Sequence, residues 1–250
     1  MTPVRRTALV AGVFYLITFI SSIPSWFLLE AVLSNPNYIA SAGADTQVTW
    51  GALLDIITAF AGIGTAVALF SILKRQHEGL ALGFVTTRTI EAALIMICVV
   101  TELAVVTLRQ AATPGDATLL VGVGAGLIAV HDWAFLFGPG LMPVLNALLL
   151  GTLLYTSRLV PRLIPAMGLI GAPLLLSSTL GTMFGINHDQ SAWTGLATIP
   201  IFFWELSVGL WMTFKGFNPS APILADPDEA VRARGSGTGA AQAAAEAGAA

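Results

Sequence analysis

The chain has 250 residues, of which 56% are apolar and only 10% are charged, with 11 lysines and arginines against 14 aspartates and glutamates. Soluble domains carry roughly 25% charged residues, so this composition argues against a water-soluble globule and indicates a polytopic membrane protein. A net charge of −3, without any basic cluster larger than a pair, argues against nucleic-acid binding. The single cysteine, Cys98, lies in an apolar run, which rules out a disulfide framework and a cysteine metal site.

Apolar segments follow one another along the chain, separated by charged residues and by Pro/Gly clusters. Each has about the 20 residues that an α-helix needs to cross a hydrocarbon core of about 30 Å. We therefore predict an all-α polytopic helix bundle over residues 1–217. The Ala/Gly-rich segment 218–250 cannot form a core, so we expect a disordered cytoplasmic tail there. The predicted transmembrane helices lie near residues 7–29, 50–73, 80–104, 139–157, 163–183 and 194–214.

The stretch 117–138, ATLLVGVGAGLIAVHDWAFLFG, is apolar enough to be a seventh span. A seventh crossing would move the basic residues after position 157 to the outer side, against the excess of basic residues expected in cytoplasmic loops. We therefore predict six transmembrane helices and an outer interfacial or re-entrant helix over 117–137. The Gly138-Pro139-Gly140 turn would separate this helix from the next span, because proline ends a helix and glycine permits the turn.

The basic residues determine the predicted orientation. With the N-terminus in the cytoplasm, nine of the eleven lysines and arginines fall on the cytoplasmic side, in agreement with the positive-inside rule. Arg109 falls outside, and Arg88 lies within a span. We expect a multi-pass protein of the plasma (inner) membrane with both termini in the cytoplasm.

Polar side chains within the spans must turn away from lipid, and their depth follows from the helical rise of about 1.5 Å per residue. Counting from the basic residues at the inner ends separates these side chains into two layers. The midplane layer, about 12 to 18 Å from those basic residues, contains Tyr15, Arg88, Glu91, Asn146 and Glu205. The outer vestibule contains Asp55, Glu102, His131 and Asp132.

Arg88 is expected to form ion pairs, because each isolated charge at the centre of a membrane costs roughly 2.5 to 3.5 kcal/mol. Glu91 lies three residues away on the same helix face, and Glu205 can reach Arg88 across the bundle. One cation cannot neutralise two carboxylates, so we expect one of the two to carry a proton at neutral pH. Such a cluster either locks the helices together or forms a site for a solute or for protons, and the sequence leaves both open.

Two His-Asp pairs, His131-Asp132 and His188-Asp189, are the candidates for a metal site, since imidazole and carboxylate groups suit zinc. Adjacent residues on a helix point about 100° apart, so neither pair chelates an ion by itself. The sequence contains no H-E-x-x-H motif. We therefore assign no metal, no cofactor and no catalytic residue. The first pair is interpreted as a polar cap before the helix break, and the second as part of a solvated loop.

Small residues four positions apart recur within the apolar segments and allow helices to approach closely. They serve either packing within one chain or a homo-oligomer through these helix faces. Besides such a second copy, the lipid bilayer is the one partner that we expect. The patterns are Ala8-x-x-x-Gly12, Gly79-x-x-x-Gly83, Gly168-x-x-x-Ala172 and Gly181-x-x-x-Gly185.

The segments HDWAFLFGPG (131–140), SRLVPR (157–162) and ELSVGLWMTFKGF (205–217) are the most specific parts of a resemblance that covers essentially residues 5–217. They resemble a bacterial membrane family catalogued only as domain of unknown function 4386. The resemblance implies a multi-span plasma-membrane protein and supplies no activity, cofactor or substrate. The family pattern includes the residues numbered here Arg88, Glu91, His131, Asp132, Asn146, Arg158 and Glu205.

Three interpretations from different classes follow. The first is an integral membrane protein whose buried Arg/Glu cluster is structural or supports the binding of a partner. The second is a small-solute or proton-coupled transporter that uses the midplane layer, with the outer vestibule as its mouth. The third is an intramembrane metal-dependent enzyme at His131, Asp132 and His188.

Overall fold

The computed structural model describes residues 1–35, 38–40, 45–113, 117–188 and 191–225. These residues form an all-α bundle without strands, which confirms the predicted fold class. A π-helix, Leu136–Leu141, and two short 3₁₀ turns, Tyr38–Ala40 and Pro222–Leu224, complete the secondary structure. The α-helices are α1 (Pro3–Leu33), α2 (Asp45–Leu73), α3 (Glu78–Gln110), α4 (Ala117–Phe135), α5 (Met142–Ser157), α6 (Leu163–Met183) and α7 (Ala192–Phe214).

Helix starts are marked by side chains that accept the unpaired backbone N–H groups of the first turn. The Thr2 hydroxyl accepts the N–H of Arg5 at 3.2 Å at the start of α1. The Ser191 hydroxyl accepts the N–H of Thr194 at 3.2 Å at the start of α7. His77 does the same for α3 through its Nδ1 atom. These caps lie beyond the apolar segments, so the helices are longer than hydropathy alone indicates.

In the part of the chain that the structure describes, six helical stretches are long and apolar enough to cross a membrane, which confirms the predicted helix bundle. Five of them belong to α1, α2, α3, α6 and α7. The sixth, Thr118–Ser157, runs through α4, the π-helix and α5. α1 begins at Pro3 instead of near residue 7, and α3 continues to Gln110 instead of ending near residue 104.

The structure corrects the break predicted at Gly138-Pro139-Gly140, whereas the interfacial or re-entrant position of the helix over 117–137 stays a prediction. The chain stays helical through the π-helix, which joins α4 directly to α5. A π-turn is wider than an α-turn, so it leaves room for the ring of Pro139. It also tolerates the backbone hydrogen bond that is missing because proline has no N–H. α4 therefore runs beside the second half of α3, and His131 on α4 reaches Glu102 on α3.

The helices run in alternating directions, except that α4 and α5 continue each other through the π-helix, so the bundle has two ends that differ in composition. The proximal end contains the start of α1 and the end of α7. There the Arg5 guanidinium donates hydrogen bonds to the carbonyl oxygens of Met212 and Thr213, at 2.9 and 2.6 Å. The distal end contains the end of α1 and the starts of α2, α4 and α7.

The proximal half is the more densely packed half, with large side chains such as Phe84, Trp204 and Met212 fully buried in one apolar core. Helices approach closely at glycines there. A Cβ atom at Gly12 would stand 2.9 Å from the carbonyl oxygen of Gly209, and one at Gly168 would stand 2.5 Å from the Trp204 ring. These small-residue faces are occupied within one chain, and a homo-oligomer through such faces stays a prediction.

The segment that follows α7 folds back against the proximal end. The N–H of Asn218 donates to the carbonyl oxygen of Leu159 at 2.8 Å, and Ala221 is buried. We expected the tail to begin at residue 218, whereas residues 218–225 contact the bundle. The rest of the predicted tail, 226–250, lies outside the described residues.

Candidate functional site

Four helices bring the residues of the predicted midplane layer into one hydrogen-bonded group, which we call the central cluster. Tyr15 comes from α1, Arg88 and Glu91 from α3, Asn146 from α5 and Glu205 from α7. Tyr15 and Asn146 are fully buried, and Arg88 and Glu91 are buried. The cluster lies at the distal edge of the proximal core.

Arg88 is the centre of this cluster. Its Nη1 atom donates to Glu91 Oε2 at 3.1 Å, and its Nη2 atom donates to Glu205 Oε1 at 2.5 Å and to the Tyr15 hydroxyl at 3.2 Å. The guanidinium also lies over the rings of Tyr15 and Phe84, with its Cζ atom 5.3 and 5.8 Å from the ring centroids. One cation therefore connects α1, α3 and α7.

A second set of hydrogen bonds extends the cluster to α5. The Asn146 amide donates to Glu91 Oε2 at 2.7 Å, and its Oδ1 atom accepts the Thr87 hydroxyl at 2.6 Å. Thr87 was not predicted, because a threonine hydroxyl within a helix can bond to the backbone of that helix, as Thr87 does to the carbonyl oxygen of Phe84 at 3.1 Å. Its position four residues before Glu91, on the same helix face, is the signal that could have identified it.

The cluster is not fully satisfied by its own members. Glu91 accepts both of its hydrogen bonds at Oε2, and Glu205 accepts its hydrogen bond at Oε1, so each carboxylate has a second oxygen without a hydrogen bond in the described part of the chain. The Nε atom of Arg88 is buried without an acceptor. With both carboxylates ionised, the three charged groups carry a net charge of −1.

A cavity of about 610 Å³ opens from the central cluster towards the distal end. Arg88, Glu91 and Glu205 belong to its lining, and most of the remaining lining residues are apolar. Trp26 and Phe27 of α1 also line it while being 45% and 65% exposed, so the cavity reaches the surface of the bundle. Further polar lining comes from Thr18, Ser22, Asp55, Thr58, His131, Ser178, Thr179, Thr182, Thr194 and Thr198.

The four residues of the predicted outer vestibule are brought only partly together. His131 Nε2 lies 3.2 Å from Glu102 Oε1, and His131 Nδ1 lies 3.2 Å from Asp132 Oδ1. Glu102 is fully buried, and neither of its oxygens has a hydrogen bond of good geometry despite the nearby imidazole. Asp55 and His131 line the cavity, whereas the Asp132 side chain is 59% exposed outside it.

The candidates for a metal site do not converge. Among the described residues, no three His, Cys, Asp or Glu side chains are grouped in a way that could hold an ion. His188 is exposed in the loop between α6 and α7, where its carbonyl oxygen accepts the N–H of Ser191 at 2.9 Å. Asp189 lies outside the described residues.

Another polar group, which the sequence analysis did not identify, joins three segments at the distal end. Asp45 at the start of α2 accepts Arg109 Nε at 2.7 Å, Gln110 Nε2 at 3.0 Å and the Tyr38 hydroxyl at 3.0 Å. Burial and the hydrogen bond to the Asp45 carboxylate raise the pKa of Tyr38 to about 12. This group is distant along the bundle from the central cluster, and it lines no part of the cavity.

A sequence profile described as "Domain of unknown function (DUF4386)" matches residues 10–216. The chain belongs to this family. The matched region contains the whole central cluster and every lining residue of the cavity, so both are parts of the DUF4386 domain. No curated protein and no solved structure matches the chain.

Proposed function

We propose that this DUF4386 protein is a carrier that binds a small, positively charged amphiphile in the cavity and exchanges it for a proton. The observation that carries the proposal is the pair of carboxylates, Glu91 and Glu205, that line the cavity and each have an oxygen without a hydrogen bond. The cavity volume of about 610 Å³ falls within the range typical of small-molecule sites.

Charge favours a cation over an anion. Arg88 already donates to both carboxylates and to Tyr15, so its charge is engaged by the protein. The net charge of −1 in a desolvated site favours the uptake of one positive charge. A proton on Glu91 or Glu205 supplies that charge in the empty site, and a cationic solute replaces it in the occupied site.

The walls of the cavity favour a solute with an apolar body. Aromatic and aliphatic side chains such as Phe19, Ile23, Trp26 and Phe135 make up most of its lining, together with hydroxyl-bearing and charged side chains. A site with mostly apolar walls and a few convergent polar groups is typical of small-molecule binding. An organic ammonium ion with an aromatic or aliphatic substituent fits both features.

Transport requires that the helices around the cavity change shape, and three of them contain proline within the helix. Pro24 lies in α1, Pro173 in α6 and Pro200 in α7, and Pro139 lies in the π-helix. Proline removes a backbone hydrogen bond and kinks a helix, and π-turns are frequent at functional sites. These positions support hinge motion of the distal half about the packed proximal half.

The orientation is part of the same proposal. The proximal end contains Arg5, Arg6, Lys74, Arg75 and Lys215, which supports a cytoplasmic location of this end and of both termini in a plasma (inner) membrane. In a Cys98→Ser background, a membrane-impermeant maleimide added to whole cells should label Ser34→Cys and leave Arg75→Cys unlabelled. The reverse pattern would contradict the orientation.

The proposal is tested with benzyltrimethylammonium, a permanent cation, and its uncharged isostere neopentylbenzene. Calorimetry on the protein in lipid nanodiscs should show binding of the cation and at least about tenfold weaker binding of the isostere, because one buried ion pair is lost. In proteoliposomes, addition of the cation should release protons from the lumen. Glu205→Gln should abolish both signals, whereas Glu78→Gln, an exposed glutamate at the start of α3, should retain both.

The competing function is a purely structural lock, favoured by the way Arg88 joins three helices. A lock predicts that Glu205→Gln lowers thermal stability and that the folded wild-type protein binds no cation. Equal binding of the cation and the isostere, or unchanged proton release in folded Glu205→Gln, would overturn the carrier proposal. The metal-dependent enzyme gains no support from the geometry, since the described residues contain no cluster of three metal ligands.

A further inference from the structure

We propose that a second cavity, at the proximal end, binds a phosphate-bearing anion and that this anion is the headgroup of an acidic phospholipid. This cavity has a volume of about 480 Å³ and lies between the α5–α6 linker and the end of α7. Its lining includes Arg158, Arg162 and Lys215 and contains no acidic residue. We call it the basic pocket. The inference is independent of the proposed transport function.

The three cations of the basic pocket lack counter-ions. None of them forms an ion pair with a carboxylate in the part of the chain that the structure describes. Arg162 instead lies over the ring of Tyr155, with its Cζ atom 5.1 Å from the ring centroid. Three positive charges around one concavity therefore attract an anion, and the planar guanidinium groups match two phosphate oxygens at once.

The backbone around the pocket is held in a defined conformation. Arg158 ends α5 in the left-handed conformation, with φ 56°, and it is the one residue other than glycine with a positive φ in the described ranges. A side-chain-bearing residue in this region costs about 1 kcal/mol or more, so the surrounding structure must hold it there. The Asn218 amide donates to the Arg158 carbonyl oxygen at 3.4 Å, and the Asn218 N–H donates to Leu159.

The opposite wall comes from the end of α7. Gly216, with φ 79°, turns the chain after the helix so that Phe217 is buried and the segment that follows faces the α5–α6 linker. Arg158, Arg162 and Lys215 thus come from two parts of the sequence more than fifty residues apart and meet because this turn brings them together. A pocket built in this way differs from the scattered basic residues that the positive-inside rule alone produces.

The location of the pocket indicates a lipid as the source of the anion. It lies where two apolar spans, Thr118–Ser157 and Ala192–Phe214, end. Trp211 lines it and Tyr155 supports one of its arginines, and both residue types are enriched where membrane meets water. Basic pockets between transmembrane helices bind acidic headgroups in this position.

Native mass spectrometry of the detergent-purified full chain tests the proposal, with dioleoyl phosphatidic acid and dioleoyl phosphatidylcholine as probes. We expect phosphatidic acid to bind in preference to phosphatidylcholine. Arg158→Gln/Arg162→Gln should weaken the binding of phosphatidic acid by about tenfold or more, since each basic side chain contributes to headgroup attraction. Lys74→Gln/Arg75→Gln is the matched control, because it removes two charges from the same end outside the pocket, and it should leave binding within about twofold.

Competition with inorganic phosphate shows whether the bound anion is a lipid headgroup or free phosphate. Lipid binding that depends on Arg158 and Arg162 and that millimolar phosphate does not displace supports a headgroup. Phosphate binding with the same dependence, without lipid binding, retains the anion site and overturns its assignment to a lipid. Equal losses in the two double variants, or no loss in either, overturn the basic pocket itself. Size-exclusion profiles of all variants show whether each is folded, and all the side chains replaced here are exposed.

Discussion

The proximal and distal halves of the bundle share five helices, with α5 in the proximal half and α4 in the distal half, but they are stabilised differently. In the proximal half, glycines let helices touch, and Trp204 and Phe84 fill the space between them. In the distal half, the helices enclose a cavity, and a smaller apolar core around Leu29 and Val105 lies beyond it. The distal half therefore contains the space for a solute, while the proximal half contains the main packed core.

The central cluster lies at the boundary between the two halves and belongs to both. On one side Arg88 contacts the rings of Tyr15 and Phe84 in the proximal core. On the other side Glu91 and Glu205 line the cavity. The same buried ionic group thus packs against the proximal core and lines the cavity of the distal half.

Removal of the Arg88 charge should have the largest effect on the stability of the bundle. Arg88→Met leaves Glu91 and Glu205 without a counter-ion in the interior, and breaking a buried pair in this way costs about 3–5 kcal/mol. We expect little folded protein, measured as the monodisperse fraction in size-exclusion chromatography after solubilisation. Arg75→Met, at an exposed position of the proximal end, is the control and should accumulate normally.

The same experiment has an internal check in the double variant Arg88→Met/Glu205→Gln. It removes one of the two uncompensated carboxylates, so it should recover part of the folded fraction that Arg88→Met loses. A wild-type folded fraction in Arg88→Met would show that the cluster does not stabilise the proximal half. The boundary role assigned to Arg88 would then be lost.

A smaller effect on stability is expected from glycine-to-alanine substitutions, and it should differ between the two halves. A Cβ atom at Gly168 would stand 2.5 Å from the buried Trp204 ring, whereas one at Gly62, in the cavity lining, would meet nothing within 4 Å. Gly168→Ala should therefore lower the free energy of unfolding by about 1–3 kcal/mol. Gly62→Ala should leave it unchanged or raise it by up to about 1 kcal/mol, because alanine favours the helix.

Thermal unfolding in detergent, followed by size-exclusion chromatography, measures both variants under one condition. Equal destabilisation of the two variants would contradict the comparison, since it would mean that the distal half is packed as densely as the proximal half. Gly62→Ala should also retain the binding of benzyltrimethylammonium, because a single methyl group fills only a small part of a cavity of about 610 Å³.

The meeting of polar residues from different spans could be predicted from the sequence, because a helix rises by a fixed distance per residue and basic residues mark its ends. That argument selected Tyr15, Arg88, Glu91, Asn146 and Glu205 from four of the six predicted spans, and the structure places all five in one hydrogen-bonded group. Helix rotation is similarly regular, which is why residues on one predicted face share a face in the structure.

Features that depend on shape could not be predicted in the same way. The cavity is what remains after side chains pack, so no single residue signals it. The π-helix across Pro139 has the same composition as a helix break, and hydropathy does not separate the two. The pairing of Asp45 with Arg109 and the assembly of the basic pocket both depend on where loops place helix ends, which periodicity does not specify.

The smallest predicted effect concerns the distal end, where hydrogen bonds to Asp45 join the helix ends. Tyr38→Phe removes the hydrogen bond to Asp45 and should lower the free energy of unfolding by about 0.5–1.5 kcal/mol. The folded-state pKa of Tyr38, about 12, lies above the ordinary tyrosine value, so the neutral phenol is the stabilised form. The stability difference between wild type and Tyr38→Phe should thus be full below about pH 10 and should disappear as the pH rises through about 12. The difference between their phenolate absorbance titrations measures this pKa directly. A transition near the ordinary tyrosine value would show that Tyr38 is in contact with water and that the distal end is not held through Asp45.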